Sequence, residues 1–286
     1  MLARPAALAA FVLAARVAAA EPGSHGKDSY TLFNPAPREQ MRELTPDRPD
    51  LTESPFTVDA GHFQVELDFV SLLADHDTER GADVRTRGWS FASVNLKVGL
   101  LNQVDLQFVF DPYVRVRVDD RVARRRLTSS GTGDLATRLK INLWGNDGGR
   151  TAGGLLPYVK WPLPASGVRN GRTEGGLIVP FAAKLAEGWD LGAMSEVDFV
   201  ADDNGGRETQ WLHSITVGHE FTKTVGGYLE FAALTSRAAG FKWQGQVDVG
   251  LTFALSENTQ FDAGCNFGVT RSAPDYQPFV GLTRRF

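Results

Sequence analysis

Alternation with a period of two runs through most of the chain from His62 to Phe286, and no other feature limits the fold so strongly. Apolar and polar residues trade places in stretches of about ten to sixteen residues, whereas soluble strands centre on five or six. The clearest stretch sets Val104, Leu106, Phe108, Phe110, Pro112, Val114, Val116 and Val118 against Gln103, Asp105, Gln107, Val109, Asp111, Tyr113, Arg115 and Arg117. Twelve such segments can be drawn: 62–73, 89–101, 103–118, 133–144, 154–163, 175–185, 189–201, 209–221, 226–235, 242–255, 260–271 and 277–286. Short connections (102, 186–188, 222–225, 256–259) alternate with longer polar ones (74–88, 119–132, 164–174), and 145–153 is the one longer connection on the short-turn side.

These lengths predict an all-β fold, a single transmembrane antiparallel up-and-down β-barrel of about 12 strands preceded by an extended N-terminal segment. A tilted spanning strand needs ~9–11 residues. In hydrocarbon every backbone N–H and C=O has to be paired, and a sheet closed on itself does this without an edge. Outer-membrane barrels carry short periplasmic turns and longer outer loops, so an even strand number puts both termini on the periplasmic side. A mean hydropathy of −0.20 agrees, because only one residue in two faces lipid. The competing architecture is a soluble sandwich or propeller, but no blade-length repeat is visible.

Residues 1–20 read as a secretory signal peptide. Arg4 precedes an Ala-rich apolar stretch from Ala6 to Ala15, and Ala18-Ala19-Ala20 offers a cleavage site after Ala20. Removal leaves 28 basic and 34 acidic residues, an acidic balance without the basic stripe of a nucleic-acid binder. One cysteine excludes an internal disulfide. Residues 21–61 hold Pro22, Pro35, Pro37, Pro46, Pro49 and Pro55, and read as extended, with one short helix near Arg38–Leu44. The barrel then spans 62–286. Phe286 ends the chain with an aromatic, the signature that the barrel-insertion machinery reads.

Several stretches resemble an outer-membrane transporter family associated with the MetA pathway of phenol degradation. They are Thr45-Pro46-Asp47-Arg48-Pro49-Asp50 with Ser54-Pro55, Gly61-His62-Phe63-Gln64-Val65-Glu66, Gly131-Thr132-Gly133-Asp134-Leu135, Pro157-Tyr158-Val159-Lys160-Trp161-Pro162 and Glu174-Gly175-Gly176-Leu177-Ile178-Val179-Pro180. The likeness covers most of 45–286 and rests on the order of these motifs. It implies an outer-membrane channel or transporter, in a Gram-negative-type bacterium, for passive passage of small organic solutes, aromatic or hydrophobic ones among them. The alternative is a non-conducting barrel with a structural or adhesion role.

If apolar faces meet lipid, the other faces line the bore. The second to sixth segments contribute a basic wall of Lys97, Arg115, Arg117, Arg138, Lys140, Lys160 and Lys184, with Asp105, Asp111 and Asp134 as exceptions. The first and the seventh to eleventh segments contribute an acidic wall of Glu66, Asp68, Asp190, Glu196, Asp198, Glu220, Glu230, Asp248 and Asp262. Such opposed walls either impose a transverse field across a water-filled bore or pair as structural ion pairs in a filled one. Asp47, Arg48, Asp50 and Glu53 are the candidate plug, the other reading being a periplasmic tail.

An outer-membrane hydrolase is the third reading. His213 and His219 share lipid-face parity while Ser214 points the other way, and His76 beside Asp75 and Asp77 lies in a loop. No metal site or cofactor is expected. Asp202-Asp203-Asn204-Gly205-Gly206 reads as a polar hairpin connection rather than a calcium loop. Expected partners are membrane lipid and lipopolysaccharide, and the solute; Arg124-Arg125-Arg126 reads first as a solvated loop run, with contact to lipopolysaccharide as the alternative. Six tryptophans (89, 144, 161, 189, 211, 243) fall near strand ends, as aromatic girdles require, although Trp89 and Trp144 carry lumen parity.

Overall fold

Fourteen strand runs form one antiparallel sheet that closes on itself. A computed structural model describes residues 26–163, 168, 171–202 and 205–286, so the signal peptide and its cleavage site lie outside the described residues. The runs are β1 (Phe63–Asp77), β2 (Val84–Leu101), β3 (Val104–Phe110), β4 (Tyr113–Asp120), β5 (Arg125–Gly131), β6 (Leu135–Trp144), β7 (Thr151–Trp161), β8 (Glu174–Ala186), β9 (Trp189–Ala201), β10 (Arg207–Glu220), β11 (Val225–Ser236), β12 (Gln244–Ser256), β13 (Thr259–Gly268) and β14 (Tyr276–Arg285).

β1 pairs with both β2 and β14, which seals the ring. β3 and β4 both pair with β2 and are halves of one strand interrupted at Asp111-Pro112. Proline cannot donate to a ladder, so the interruption falls there. β5 and β6 are halves of the next strand, interrupted at 132–134, and pair with β4 and β3 respectively. The ring therefore has twelve strands, as the alternation predicts.

Two connections are shorter than expected. Strand pairing continues to Asp77↔Val84 and to Asp120↔Arg125, so most of 74–88 and 119–132 is ladder. Polar side chains do not prevent backbone pairing beyond the membrane, and this is why the alternation underestimates these strands. The expected helix near Arg38–Leu44 is a single 3-10 turn, Arg38–Gln40.

The ring is inside-out relative to a soluble core. Lys97, Asp105, Gln107, Lys140, Glu230, Asp248, Asp262 and Thr283 are almost wholly buried, while Phe69, Leu72, Leu229, Leu251 and Leu255 are exposed. Exposed aromatics gather at both rims: Phe63, Trp144, Trp189, Phe221 and Phe286 near the end that carries the C-terminus, and Tyr113, Trp161, Trp243 and Tyr276 toward the other.

A crease crosses four strands at one level and exchanges their faces. Residues directly opposite on neighbouring strands share a face. In β1, Asp68 pairs with Gly281 but Val70 with Val280 and Ser71 with Phe279, so one residue is inserted at Phe69. Inward parity thus passes from Gln64, Glu66 and Asp68 to Ser71. β2 follows, with Ser93 opposite Asp68 and Ser90 opposite Ser71, around Ala92 at φ +57°. The break at Asp111-Pro112 does the same between Val109 and Val114, which is opposite Ser90.

The crease corrects three sequence expectations. Arg115 and Arg117 were placed on the lumen wall; they face outward, opposite Trp89 and Arg87. Val114, Val116 and Val118 face inward instead of toward lipid. Trp89, expected inside, lies outside opposite Leu72, with the Arg115 guanidinium 5.9 Å from its ring centre. In each case a strict period of two was carried through a residue that breaks it.

Candidate functional site

The bore is occupied by the chain's own N-terminal stretch. Residues 46–60 enter from the end that holds both termini and run between the two charged walls. Asp47 meets the basic wall: Lys97 and Lys140 both contact its carboxylate, the latter at 2.5 Å, and Lys97 also pairs with Glu66. Asp47 further accepts the Ser54 N–H at 3.0 Å, and its own N–H donates to Glu66 at 3.0 Å. Glu53 pairs with Arg138 and lies 3.9 Å from Lys140.

The next residue meets the opposite wall. The Arg48 guanidinium bonds Asp68 and Asp262, each at 2.7 Å, and stands 5.7 Å from the ring centre of Phe279. Glu230 accepts the N–H groups of Leu51 and Thr52, both at 2.8 Å, as well as the Thr52 hydroxyl, which is also 2.6 Å from Ser214 Oγ. Asp50 lies near Glu230 and Thr216. Further along, Val58 N–H donates to Asp105 at 3.0 Å, and Asp59 holds Arg42 and Arg285, each at 3.3 Å. The segment is therefore largely a charge complement: Asp47 and Glu53 face Lys97, Lys140 and Arg138, Arg48 and the Leu51 and Thr52 amides face carboxylates, and Asp50 meets an acid, Glu230.

The walls differ in use. Lys97, Arg138 and Lys140 of the basic set, with Glu66, Asp68, Glu230 and Asp262 of the acidic set, hold the segment. Asp248 is buried beside Glu230, its register partner. Lys160 pairs with Glu174 near the far rim, and Tyr158 donates to Asp198, next to Glu196 on the same wall. Asp134 lies 4.0 Å from Lys160, and Asp111 sits at the strand interruption. Lys184, Asp190 and Glu220 stand at the terminal rim, where Asp190 and Glu220 line a cavity.

Burial and neighbouring charge shift the segment's carboxyl groups in opposite directions. Burial raises Asp47, but the Lys140 and Lys97 ammonium groups outweigh it and hold this carboxyl far below the usual range. Burial and the adjacent Asp47 push Glu53 up to about 7 against the opposing pull of Arg138. Burial and Glu230 raise Asp50 well above its ordinary value.

Space remains beside the segment. A cavity of about 290 Å³ lies between it and the β8–β13 wall, where Gly192, Gly218 and Gly226 leave room. An engineered apolar cavity of ~150 Å³ holds benzene, so one aromatic ring fits here by volume. Beyond the segment, Leu156, Ile178 and Met194 form a buried apolar cluster with Tyr158 and Leu212, and the inward Val114, Val116 and Val118 lie higher on the neighbouring wall.

His76 and His213 stand away from this site, and His219 meets it only at the margin of the cavity. His76 pairs with Asp83 at 2.8 Å. His219 stacks on Trp189, ring centres 4.0 Å apart. Ser214 faces inward to Thr52, while His213 contacts Ser195 Oγ at 3.0 Å on the outer face, a Ser–His pair that parity alone does not suggest. Val179 and Ala233 flank that pair in register, so neither adjacent strand offers a group to orient the imidazole. Asp203 and Asn204 of the loop considered for calcium lie outside the described residues.

A closed ring of twelve strands, oily outside and ionised within, is the architecture of an outer-membrane β-barrel, here with its bore crossed by its own chain. The chain belongs to the family described as "Putative MetA-pathway of phenol degradation", whose model matches residues 46–286 and so takes in the crossing segment. It is similar to the crystal structure of the COG4313 outer membrane channel from Pseudomonas putida F1, with 13% identity over 85% of this chain and 100% of that one, at a TM-score of 0.56. It is also similar to the translocator domain of the autotransporter NalP from Neisseria meningitidis, with 8% identity over 78% of this chain and 88% of that one, at a TM-score of 0.51. No curated protein matches the chain. These likenesses concern the fold.

Proposed function

We propose that the protein is a passive outer-membrane passage for small organic solutes of aromatic or otherwise hydrophobic character, and that it is neither an enzyme nor a purely structural barrel. The observation that carries this reading is the crease. By turning Val114, Val116 and Val118 inward, it gives the outer half of the bore an apolar wall that a channel for ions or sugars does not need. Separately, Leu156, Ile178 and Met194 form a second apolar patch with Leu212 beside the crossing segment, where the Glu53 N–H meets the Met194 sulfur at 3.3 Å. Below the segment lies the cavity with room for one ring. Family membership and likeness to a channel fold support the same reading.

Between Asp47 and Glu53 the segment is held by ion pairs and hydrogen bonds, and its buried apolar residues Pro55, Val58 and Ala60 lie nearer β1, which suits a part whose inner half shifts without unfolding the ring. No cofactor or energy source enters this scheme. The test is uptake into vesicles whose outer leaflet is lipopolysaccharide, comparing an aromatic solute with a sugar of similar size. The aromatic is expected to enter faster, and Val116→Glu, which places a charge on the apolar wall, is expected to abolish the difference. Equal rates for the two solutes in the wild-type barrel, or an unaffected V116E variant, would overturn the proposal. A correctly folded barrel that passes neither solute would favour the structural alternative.

A further inference from the structure

The crease that turns valines inward turns arginines outward, and nothing in the passage reading uses them. Above the crease, β1, β2, β4 and β5 present three successive outer rows. The first is Leu72–Trp89–Arg115–Ser130, the next Ala74–Arg87–Arg117–Thr128, and the last His76–Arg85–Asp119–Arg126. Just below them Phe91 and Tyr113 pack together on the same face, ring centroids 6.0 Å apart. Alternate residues on a strand are ~6.6 Å apart, so the arginines begin within one row of the aromatic belt.

Aromatic belts mark the boundary between hydrocarbon and headgroups. With both termini at the periplasmic end, these rows stand at the headgroup level of the outer leaflet. Their charge is poorly compensated. Arg87 and Arg117 are directly opposite one another, an arrangement that is destabilising on a sheet unless an anion intervenes. Asp119 is shared between Arg117, at 2.8 Å, and Arg126. Arg85 reaches only Asp83, at 4.0 Å. A cleft of about 500 Å³ at this point is lined by seven arginines and two aspartates. The guanidinium fork matches phosphate oxygens two at a time, and several forks around one cleft suit a phosphate monoester.

We infer that this outer face binds the phosphorylated disaccharide headgroup of lipopolysaccharide, with Arg87 and Arg117 clamping a phosphate and the Leu72, Trp89, Phe91 and Tyr113 surface below receiving the first carbons of its acyl chains. A soluble phosphate compound is the weaker fit, because the apolar shelf directly beneath the arginines would then have no counterpart. The site lies outside the ring and stands whether or not the bore conducts.

The test uses the full mature barrel in detergent and lipid A carrying two phosphates or none, with binding followed by native mass spectrometry. The wild-type protein is expected to hold the bisphosphorylated form and to lose on the order of tenfold in affinity for the dephosphorylated one, the worth of one charge-assisted contact. R87Q/R117Q is expected to show the same loss for the bisphosphorylated form, whereas Arg237→Gln, on β11–β12 of the same rim, keeps wild-type affinity. Heat-modifiable migration on gels confirms that each variant has folded. If the double variant does not fold, Arg115→Gln, which sits one row lower over Trp89, serves as a milder probe with the same expected direction. Equal binding of both lipid A forms, or arginine variants that bind as the wild type does, would overturn the inference. Inorganic pyrophosphate that binds alone as tightly as lipid A would overturn the lipid assignment.

Discussion

Asp47→Asn is the sharpest probe of how the bore is closed. The carboxylate faces two ammonium groups, Lys97 and Lys140, and accepts the Ser54 N–H, all away from water. With the charge removed, Lys97 keeps Glu66, but Lys140 keeps no closer carboxylate than Glu53 at 3.9 Å among the described ion pairs, with Asp105 opposite it in register. Removing one partner of a buried pair costs ~3–5 kcal/mol, because the remaining charge stays dehydrated. Here the cost falls on the docked state alone, since both lysines regain water once the segment leaves. The undocked population should therefore rise by roughly two to three and a half powers of ten. In planar bilayers the wild-type barrel is expected to show small, infrequent currents, and D47N larger and longer ones. Residues 46–60 should become cleavable by protease in the same variant. A D47N barrel with wild-type currents and an uncleaved segment would refute the claim that this ion-pair cluster holds the plug.

The remaining predictions follow the same geometry. Glu53 has its carboxyl raised from 4.5 to about 7, so between these values the unfolded chain releases a proton that the folded one keeps. Stability should fall as pH rises through that window and level off above it. Asp50, also raised, contributes with the same sign, so Glu53→Gln should flatten the thermal-stability profile without levelling it; an unchanged slope would show that Glu53 does not titrate there. Because Arg115 and Arg117 face outward, R115E/R117E should leave the reversal potential in a salt gradient where it stands in the wild type. A shift would return these residues to the lumen wall.

The strand count was legible because lipid and bore make opposite demands on alternate residues, and that contrast survives in Phe261–Asp262–Ala263 as plainly as in Leu251–Thr252–Phe253. For the same reason Lys97, Arg138, Lys140, Glu66, Asp68, Glu230 and Asp262 could be placed toward the bore, whereas Arg115 and Arg117 could not. Asp47, Arg48, Asp50 and Glu53 could be singled out as charges just before the first strand, but which wall each would meet depends on ring closure, which brings Asp68 and Asp262 together around Arg48 from opposite ends of the sequence. The crease was not legible. Valine is acceptable on either face, so Val114, Val116 and Val118 continue the lipid-side pattern of Leu106 and Phe108 without a visible break. Pro112 within the run was the available signal, since a proline inside a strand marks an edge or an irregularity. Ala92 at a positive φ offered none.

The crossing segment leads directly into β1, and β1 is one lip of the seam where Phe63 and Phe286 exchange backbone bonds. Whatever is tethered to that lip stays at the mouth of the bore even when it lets go, so fifteen residues bearing both signs of charge never have to find the hoop from a distance. The stopper is thus leashed to the hoop's own end, and once seated its Arg48 is the counter-ion that lets Asp68 and Asp262 stand either side of β14.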